Sequence, residues 1–240
     1  METTEALVIQ TLKYGDSSLI AHCYTLRHGL QSYMLKGILS AKRKSVLPKS
    51  YFQPLSLLEI EAPLQPPNRL GYIKEARVSY SFQKLPFVIV KSTMALFLAE
   101  ILFQVLQEEA QPNPDLFHFL KQSMIILDQS DRIGFFHLVF LMQLSNYMGF
   151  FPLIENEHHP FFDLQNGCTT AVAPTQHFLE GSLKNTWVTL CGMKFDNEKT
   201  IQCNKSDKKR LLEQLLLYYQ IHLQRFKMPK SLPVLHELFQ

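Results

Sequence analysis

The 240 residues of the chain are 46% hydrophobic and 19% charged, a composition that excludes a mostly disordered protein and allows one large domain or two to three small ones. The first ten residues contain Glu2 and Glu5 and lack a basic start with a long apolar core, so we expect no secretory signal. The formal net charge of +3 is uneven, because residues 1–84 carry 11 Lys and Arg against 6 Asp and Glu, and the remainder carries 13 against 15. The basic excess therefore lies in the N-terminal third.

Short runs rich in β-branched and aromatic residues fill the first third of the chain. Strands are predicted at residues 6–14, 18–26, 30–36, 51–61 and 70–78. Gly15-Asp16 between the first two runs is a turn signal and predicts a hairpin. Because five short strands follow one another without helical periodicity, we predict a five-stranded OB-fold barrel over residues 1–80.

Apolar residues recur at helical spacing from residue 88 onward. Helices are predicted within residues 88–106, 113–127, 130–149, 206–222 and 231–239. Residues 151–201 carry prolines and glycines at intervals, which is typical of an irregular segment. The predicted fold class is therefore α+β, with the barrel followed by an α-helical domain over residues 81–240 that contains an irregular insert at 151–201.

Two of these helical regions approach membrane-spanning length. The first, residues 87–106, contains Lys91 and Glu100, and the second, residues 133–151, contains His137. Polar and charged side chains at these positions are untypical of a bilayer-spanning helix. We therefore predict buried core helices and no membrane partner.

The segment from Ser17 to Leu58 contains no acidic residue at all. Its basic residues are Arg27, Lys36, Lys42, Arg43, Lys44 and Lys49. Four of them lie in the predicted loop 37–50, and Tyr33, Tyr51 and Phe52 lie in the predicted strands on either side. A basic loop beside aromatic rings is how OB-folds hold single strands, since released counterions supply affinity and rings stack on bases. The alternative is a solvated loop beside aromatic residues of the core.

A second basic cluster opens the late helix and consists of Lys205, Lys208, Lys209 and Arg210. Positive charge at a helix N-terminus opposes the helix dipole, so this cluster does not serve helix stability. It could bind phosphates or an acidic peptide. A solvated face is the alternative interpretation.

Residue patterns typical of catalysis and metal binding are missing. The sequence contains no G-x-S-x-G, G-x-x-x-x-G-K-[ST] or G-x-G-x-x-G motif, so we predict that the protein is not an enzyme. No two of the four cysteines have C-x(2–4)-C spacing, which favours free thiols. The potential ligands in the insert match no familiar metal motif, and we predict no metal site there. They are His158, His159, Asp163, Cys168 and His177.

Several segments resemble the RecO family. Residues 6–45 are similar to its opening: a strand, a Y-G-[ED]-x-S turn at Tyr14–Ser18, a second strand ending in T-x-x-x-G, a K-G pair and a basic loop. Residues 51–59 are similar to its L-Q-P segment, and residues 70–76 to its next strand. The closing Y-Y-x-x-H-L and K-S-L patterns match residues 218–223 and 230–232.

The resemblance implies a cytoplasmic, nucleoid-associated mediator of recombinational repair. Such a protein has an N-terminal OB-fold, binds single- and double-stranded DNA, anneals complementary strands and, with RecR, helps load RecA onto DNA coated with the single-stranded DNA-binding protein SSB. The basic loop would contact DNA, and the helical domain would carry a basic-rimmed pocket for the acidic, hydrophobic tail of SSB. The alternative is a protein-interaction scaffold whose barrel binds little DNA.

One departure from the family concerns zinc. Many members carry four zinc-binding cysteines after the helix that ends here near Gly149, whereas residues 151–173 contain only Cys168. We therefore predict no zinc and no other cofactor. The shape that zinc gives those relatives must here come from apolar packing by Phe150, Phe151, Phe161 and Phe162, or it does not exist in this chain.

Overall fold

Within the described residues, six strands form one sheet in the first part of the chain. The computed structural model describes residues 1–40, 47–64, 69–108, 111–195 and 203–238. The strands are β1 (Glu2–Tyr14), β2 (Ser18–Thr25), β3 (Gly29–Leu35), β4 (Leu57–Ala62), β5 (Leu70–Gly71) and β6 (Glu75–Tyr80). Their order is β5-β3-β2-β1-β4-β6, and β3 with β5 is the parallel pair. The predicted hairpin is confirmed, with Tyr14 opposite Ser18 at its turn.

The sheet closes on itself because its two edge strands are neighbours in sequence. Only residues 72–74 separate β5 from β6. The four Cα–Cα steps from Gly71 to Glu75 span at most about 14 Å. The sheet therefore curls around a core. The predicted α+β fold class with an OB-like N-terminal sheet is confirmed, but the sheet has six strands instead of five. The run 70–78 is two strands because its ends pair with opposite edges, β3 and β4.

The strand predicted at residues 51–61 begins later than predicted. Residues Lys49–Phe52 form a 3-10 turn, and β4 starts at Leu57. Pro54 has no N–H to donate to a ladder, and Leu55 adopts a positive φ of 64°. The backbone N–H of Leu55 instead donates to the carbonyl of Val8 at 2.6 Å. Tyr51 thus lies in a turn against the barrel and not in a strand.

In the described residues, six helices follow the sheet. Contacts divide the chain into two units. The helices are α1 (Ile89–Val105), α2 (Pro114–Gln129), α3 (Phe136–Tyr147), α4 (Gly181–Cys191), α5 (Lys205–His222) and α6 (Leu232–Leu238). The first unit, residues 1–129, contains the sheet, α1 and α2, and the second is residues 130–240. The domain boundary at residue 80 stays a prediction. Within the described ranges, no helix has the length and apolarity needed to cross a bilayer.

The insert contains more regular structure than expected. Three short strands, β7 (Phe161–Asp163), β8 (Cys168–Thr170) and β9 (Phe178–Glu180), form an antiparallel sheet in the order β8-β7-β9. Strands of three residues are too short to show alternation in a sequence. Helix α4 begins at Gly181, one of the glycines of the segment that was predicted to be irregular.

Aromatic packing holds the insert to α5. The ring of Phe162 is fully buried and lies 5.3 Å from Trp187 and 6.2 Å from Tyr218, between ring centroids. Phe150 stacks on His222 with 4° between the ring planes. The Tyr218 hydroxyl donates to the carbonyl of Phe150 at 2.7 Å. Two of the predicted phenylalanines, Phe150 and Phe162, therefore supply this packing directly.

Candidate nucleic-acid interface

The described basic residues of the acid-free segment lie in exposed turns of the barrel. Arg27 lies in the turn before β3, Lys36 directly follows β3, and Lys49 begins the 3-10 turn. The seven residues of β3 span about 23 Å at the usual rise per residue. Arg27 and Lys36 therefore lie at opposite ends of a strand and do not form one cluster. A long polyanion could contact both, whereas a small anion could not.

The predicted DNA-contacting residues Lys42, Arg43 and Lys44 lie outside the described residues. The chain on either side of them packs against the barrel core, through Leu39 before them and Leu47 after them. The backbone N–H of Leu39 donates to the carbonyl of Ser17 at 2.9 Å.

Two of the three predicted aromatic residues belong to the core. Tyr33 and Phe52 are each 3% exposed, and burial raises the pKa of the Tyr33 hydroxyl well above its usual value. Neither ring has a free face for a base, so the alternative of core aromatics is correct for both. Tyr51 is half-buried and lines an open groove.

The other aromatic residues of this groove are Tyr80, Phe82 and Phe87, and no sequence motif marks them. Phe87 is 80% exposed and lies two residues before α1. All three residues precede the predicted first helix, so its apolar periodicity does not point to them.

The second basic cluster lies in the first two turns of α5. The helix begins at Lys205, and the Asn204 side chain caps it by accepting from the backbone N–H of Asp207 at 2.7 Å. The helix was predicted within residues 206–222, so its observed start is one residue earlier. Arg210 lies near Asp207, with 3.9 Å between Arg210 Nη1 and Asp207 Oδ1.

Three residues of the cluster rim a cavity of about 360 Å³. They are Lys205, Lys208 and Lys209. Leu212 and Leu235 contribute apolar surface, and Leu235 is 1% exposed. Arg210 is not among the described residues that line it. The cavity thus combines a cationic rim with an apolar interior, which suits a ligand that is both acidic and hydrophobic.

Two histidines also line the cavity and are neutral near pH 7. Burial, followed by the charge of Lys208, lowers the pKa of His137 to about 3. Burial and then Lys209 lower the pKa of His236. The positive charge of the cavity therefore comes from its lysines. The ammonium of Lys208 also lies 5.2 Å from the ring centroid of Phe135, within cation–π distance.

Known families match both parts of the chain. The family models for "Recombination protein O N terminal" and "Recombination protein O C terminal" match residues 1–82 and 86–232. This chain belongs to the RecO family. Relatives named "DNA repair protein RecO" include those of Christiangramia forsetii and Flavobacterium psychrophilum, each 39% identical over 98% of both chains. The relative from Phocaeicola vulgatus is 38% identical over 100% of this chain and 99% of its own.

The insert of this RecO family member shows no gathered metal ligands in its described part. No group of three or more His, Cys, Asp or Glu side chains within the described ranges could hold a metal ion. The Asp163 carboxylate accepts from the backbone N–H groups of Gln165 and Asn166 at 2.8 and 3.1 Å and so supports a turn. Cys168 follows in β8. The absence of zinc stays a prediction.

Proposed function

We propose that this RecO family protein is a recombination mediator in DNA repair. It binds single- and double-stranded DNA, anneals complementary strands and, together with RecR, helps load RecA onto SSB-coated DNA. It acts by binding alone and catalyses no covalent step. The observation that carries the proposal is the acid-free segment from Ser17 to Leu58, whose described part forms β2 and β3 of the barrel and presents Arg27, Lys36 and Lys49 in exposed turns.

Charge and geometry support DNA as the partner of the barrel. Arg27, Lys36 and Lys49 are exposed, and about 23 Å of strand separates the first two. Phosphates recur along a nucleic-acid strand, so separated cations can each meet one. Such contacts release counterions and are independent of base sequence. The expected binding is therefore strong at low salt and unselective.

An annealing assay tests the proposal. Two complementary labelled strands coated with SSB are mixed with the protein, and duplex formation is followed by fluorescence transfer. The proposal predicts annealing well above the rate without protein, and RecA filament formation on SSB-coated DNA when RecR is added. No acceleration together with intact binding of partner proteins would favour the interaction scaffold instead.

The cavity at the start of α5 is the proposed site for the acidic, hydrophobic tail of SSB. Its lysine rim can pair with carboxylates, and Leu212 and Leu235 can contact an apolar side chain. Because His137 and His236 are neutral near pH 7, tail binding should respond to the lysines rather than to histidine titration. Charge pairs at a rim affect association rate and salt dependence most strongly.

A peptide titration tests this site. Lys209→Glu places an acidic group on the exposed rim and should lower the affinity for a labelled SSB tail peptide at least tenfold. Lys194→Glu makes the same charge change at another exposed position and should lower it little. An equal loss of peptide affinity in the two variants would mean that the tail binds elsewhere or that it responds only to the overall charge of the protein.

A further inference from the structure

An open groove of about 520 Å³ lies beside the 3-10 turn of the barrel, and three segments of the first unit line it. These segments are residues 50–56, 78–87 and 92–96. The described lining contains no charged side chain, and its four aromatic residues are Tyr51, Tyr80, Phe82 and Phe87. We call it the aromatic groove. Its volume falls in the range of about 300–1,000 Å³ that is usual for small-molecule sites.

Large apolar side chains of this groove are exposed to water. Phe87 is 80% exposed and Leu96 is 53% exposed. Val78 in the lining and Ile89 beside it are also exposed. Apolar surface that stays in water gives up the stabilisation that burial would provide. Clustered exposure of this kind marks a binding surface.

The aromatic side of the groove is held in place before any ligand arrives. The Asp128 carboxylate accepts from the backbone N–H groups of Gln83, Lys84 and Leu85 at 3.0, 2.7 and 2.6 Å. These three residues connect Phe82 to the segment that carries Phe87. The ring of Tyr80 meets that of Phe82 edge-on, 5.2 Å between centroids. A preformed surface loses little conformational entropy on binding.

We propose that the aromatic groove binds unstacked bases of a single-stranded nucleic acid, an inference that rests on the proposed single-strand binding. Tyr33 and Phe52 are buried, so bases that stack on this barrel need other rings, and Tyr51 and Phe87 provide them. Every base has a π-face, and stacking on aromatic side chains tolerates any sequence.

The rest of the lining and its surroundings also suit bases. Hydroxyl groups can donate to or accept from base edges, and they come from Ser50, Ser56, Ser81 and Ser92. Lys49 is exposed and directly precedes Ser50 of the lining, so it can pair with a phosphate attached to a bound base. A purely apolar protein segment would gain nothing from Lys49 or from these hydroxyls.

The test compares two oligonucleotides of equal length, one of thymidines and one of abasic sites. The wild-type protein should bind the thymidine strand more tightly. Phe87→Ala should weaken thymidine binding by about 5- to 100-fold, the range for one stacked base, and leave abasic binding unchanged. Phe87 is mostly exposed, so its truncation leaves the core intact. Tyr72→Ala, an exposed aromatic residue outside the groove lining, is the matched control and should change neither affinity.

Each other outcome overturns the inference. Equal affinity of the wild type for both strands would leave phosphate binding intact and show that bases add nothing. Binding of neither strand would contradict both this inference and the proposed function. If Phe87→Ala leaves DNA affinity unchanged and instead abolishes self-association in sedimentation velocity, a second copy of the chain covers the groove.

Discussion

The carboxylate of Asp128 near the end of α2 accepts a hydrogen bond from the backbone N–H of Leu85, with 2.6 Å between the two atoms. The same carboxylate also accepts from Gln83 and Lys84, and Lys91 donates to the Asp128 carbonyl at 2.7 Å. One buried side chain thereby satisfies three backbone donors of the segment that leads into α1. That segment is also one wall of the aromatic groove.

Asp128→Ala should therefore destabilise the protein. The N–H of Leu85 is buried, and a buried donor that loses its acceptor costs about 1–3 kcal/mol. Urea unfolding at pH 7 measures the loss, and Asp16→Ala, in an exposed turn, serves as the control. Equal stability of the two variants would show that water replaces the carboxylate without cost.

Acid should reduce the contribution of Asp128. Burial alone would raise the pKa of this carboxyl, but the three backbone hydrogen bonds and Lys91 together lower it below its usual value. A depressed carboxyl pKa in the folded state stabilises the fold above the unfolded pKa, and this stability disappears as pH falls through the folded pKa. The stability gap between wild type and Asp128→Asn should thus be widest near neutral pH and shrink below the usual carboxyl range. A gap that widens in acid would contradict this assignment.

Gly167→Ala should destabilise the insert for two reasons. Gly167 has a φ of +67°, and an added Cβ would lie 2.7 Å from the Tyr218 hydroxyl. Left-handed backbone in a non-glycine residue costs about 1–3 kcal/mol. Tyr218→Phe removes the hydroxyl, so the double variant should be more stable than the sum of the two single effects predicts. Thermal unfolding of all four proteins measures this coupling, and strict additivity would exclude the clash.

Purified protein should contain no stoichiometric zinc. Phe162 packs against Trp187 and Tyr218 in the insert. The described part of the insert contains no group of three or more side chains that could hold a metal ion. Elemental analysis and thermal unfolding with a chelator provide the check. One zinc per chain, or a lower melting temperature with chelator, would overturn the prediction.

Elements that depend on local sequence patterns were predicted from the sequence. The turn at Gly15-Asp16 and the apolar periodicity of α1 predicted their elements. The barrel was predicted, but the division of the run 70–78 into β5 and β6 was not, because a two-residue strand such as β5 shows no alternation. The exposure of the aromatic rings was also not predictable, because a one-residue difference in position decides whether a strand ring such as Tyr33 faces the core or the solvent. The contact between Asp128 and Leu85 joins residues 43 apart and leaves no local pattern.

Replacing Lys42, Arg43 and Lys44 together by Ala should weaken binding to all DNA sequences similarly. Phosphate contacts carry no base information. The logarithm of the binding constant falls linearly with the logarithm of salt concentration, and losing three phosphate contacts makes this slope less steep by about 2 for single strands. A matched control is Lys74→Ala with Arg77→Ala, because Glu61 and Glu59 already pair with these cations. Loss of affinity for only some sequences would contradict phosphate contact.

The most direct test of the central claim is fluorescence anisotropy of a labelled single-stranded oligonucleotide across a salt series, with and without the SSB tail peptide. The proposed function predicts tight binding at low salt that weakens steeply as salt rises, together with separate binding of the peptide. No DNA binding at low salt would contradict the mediator role and favour a scaffold that binds proteins alone.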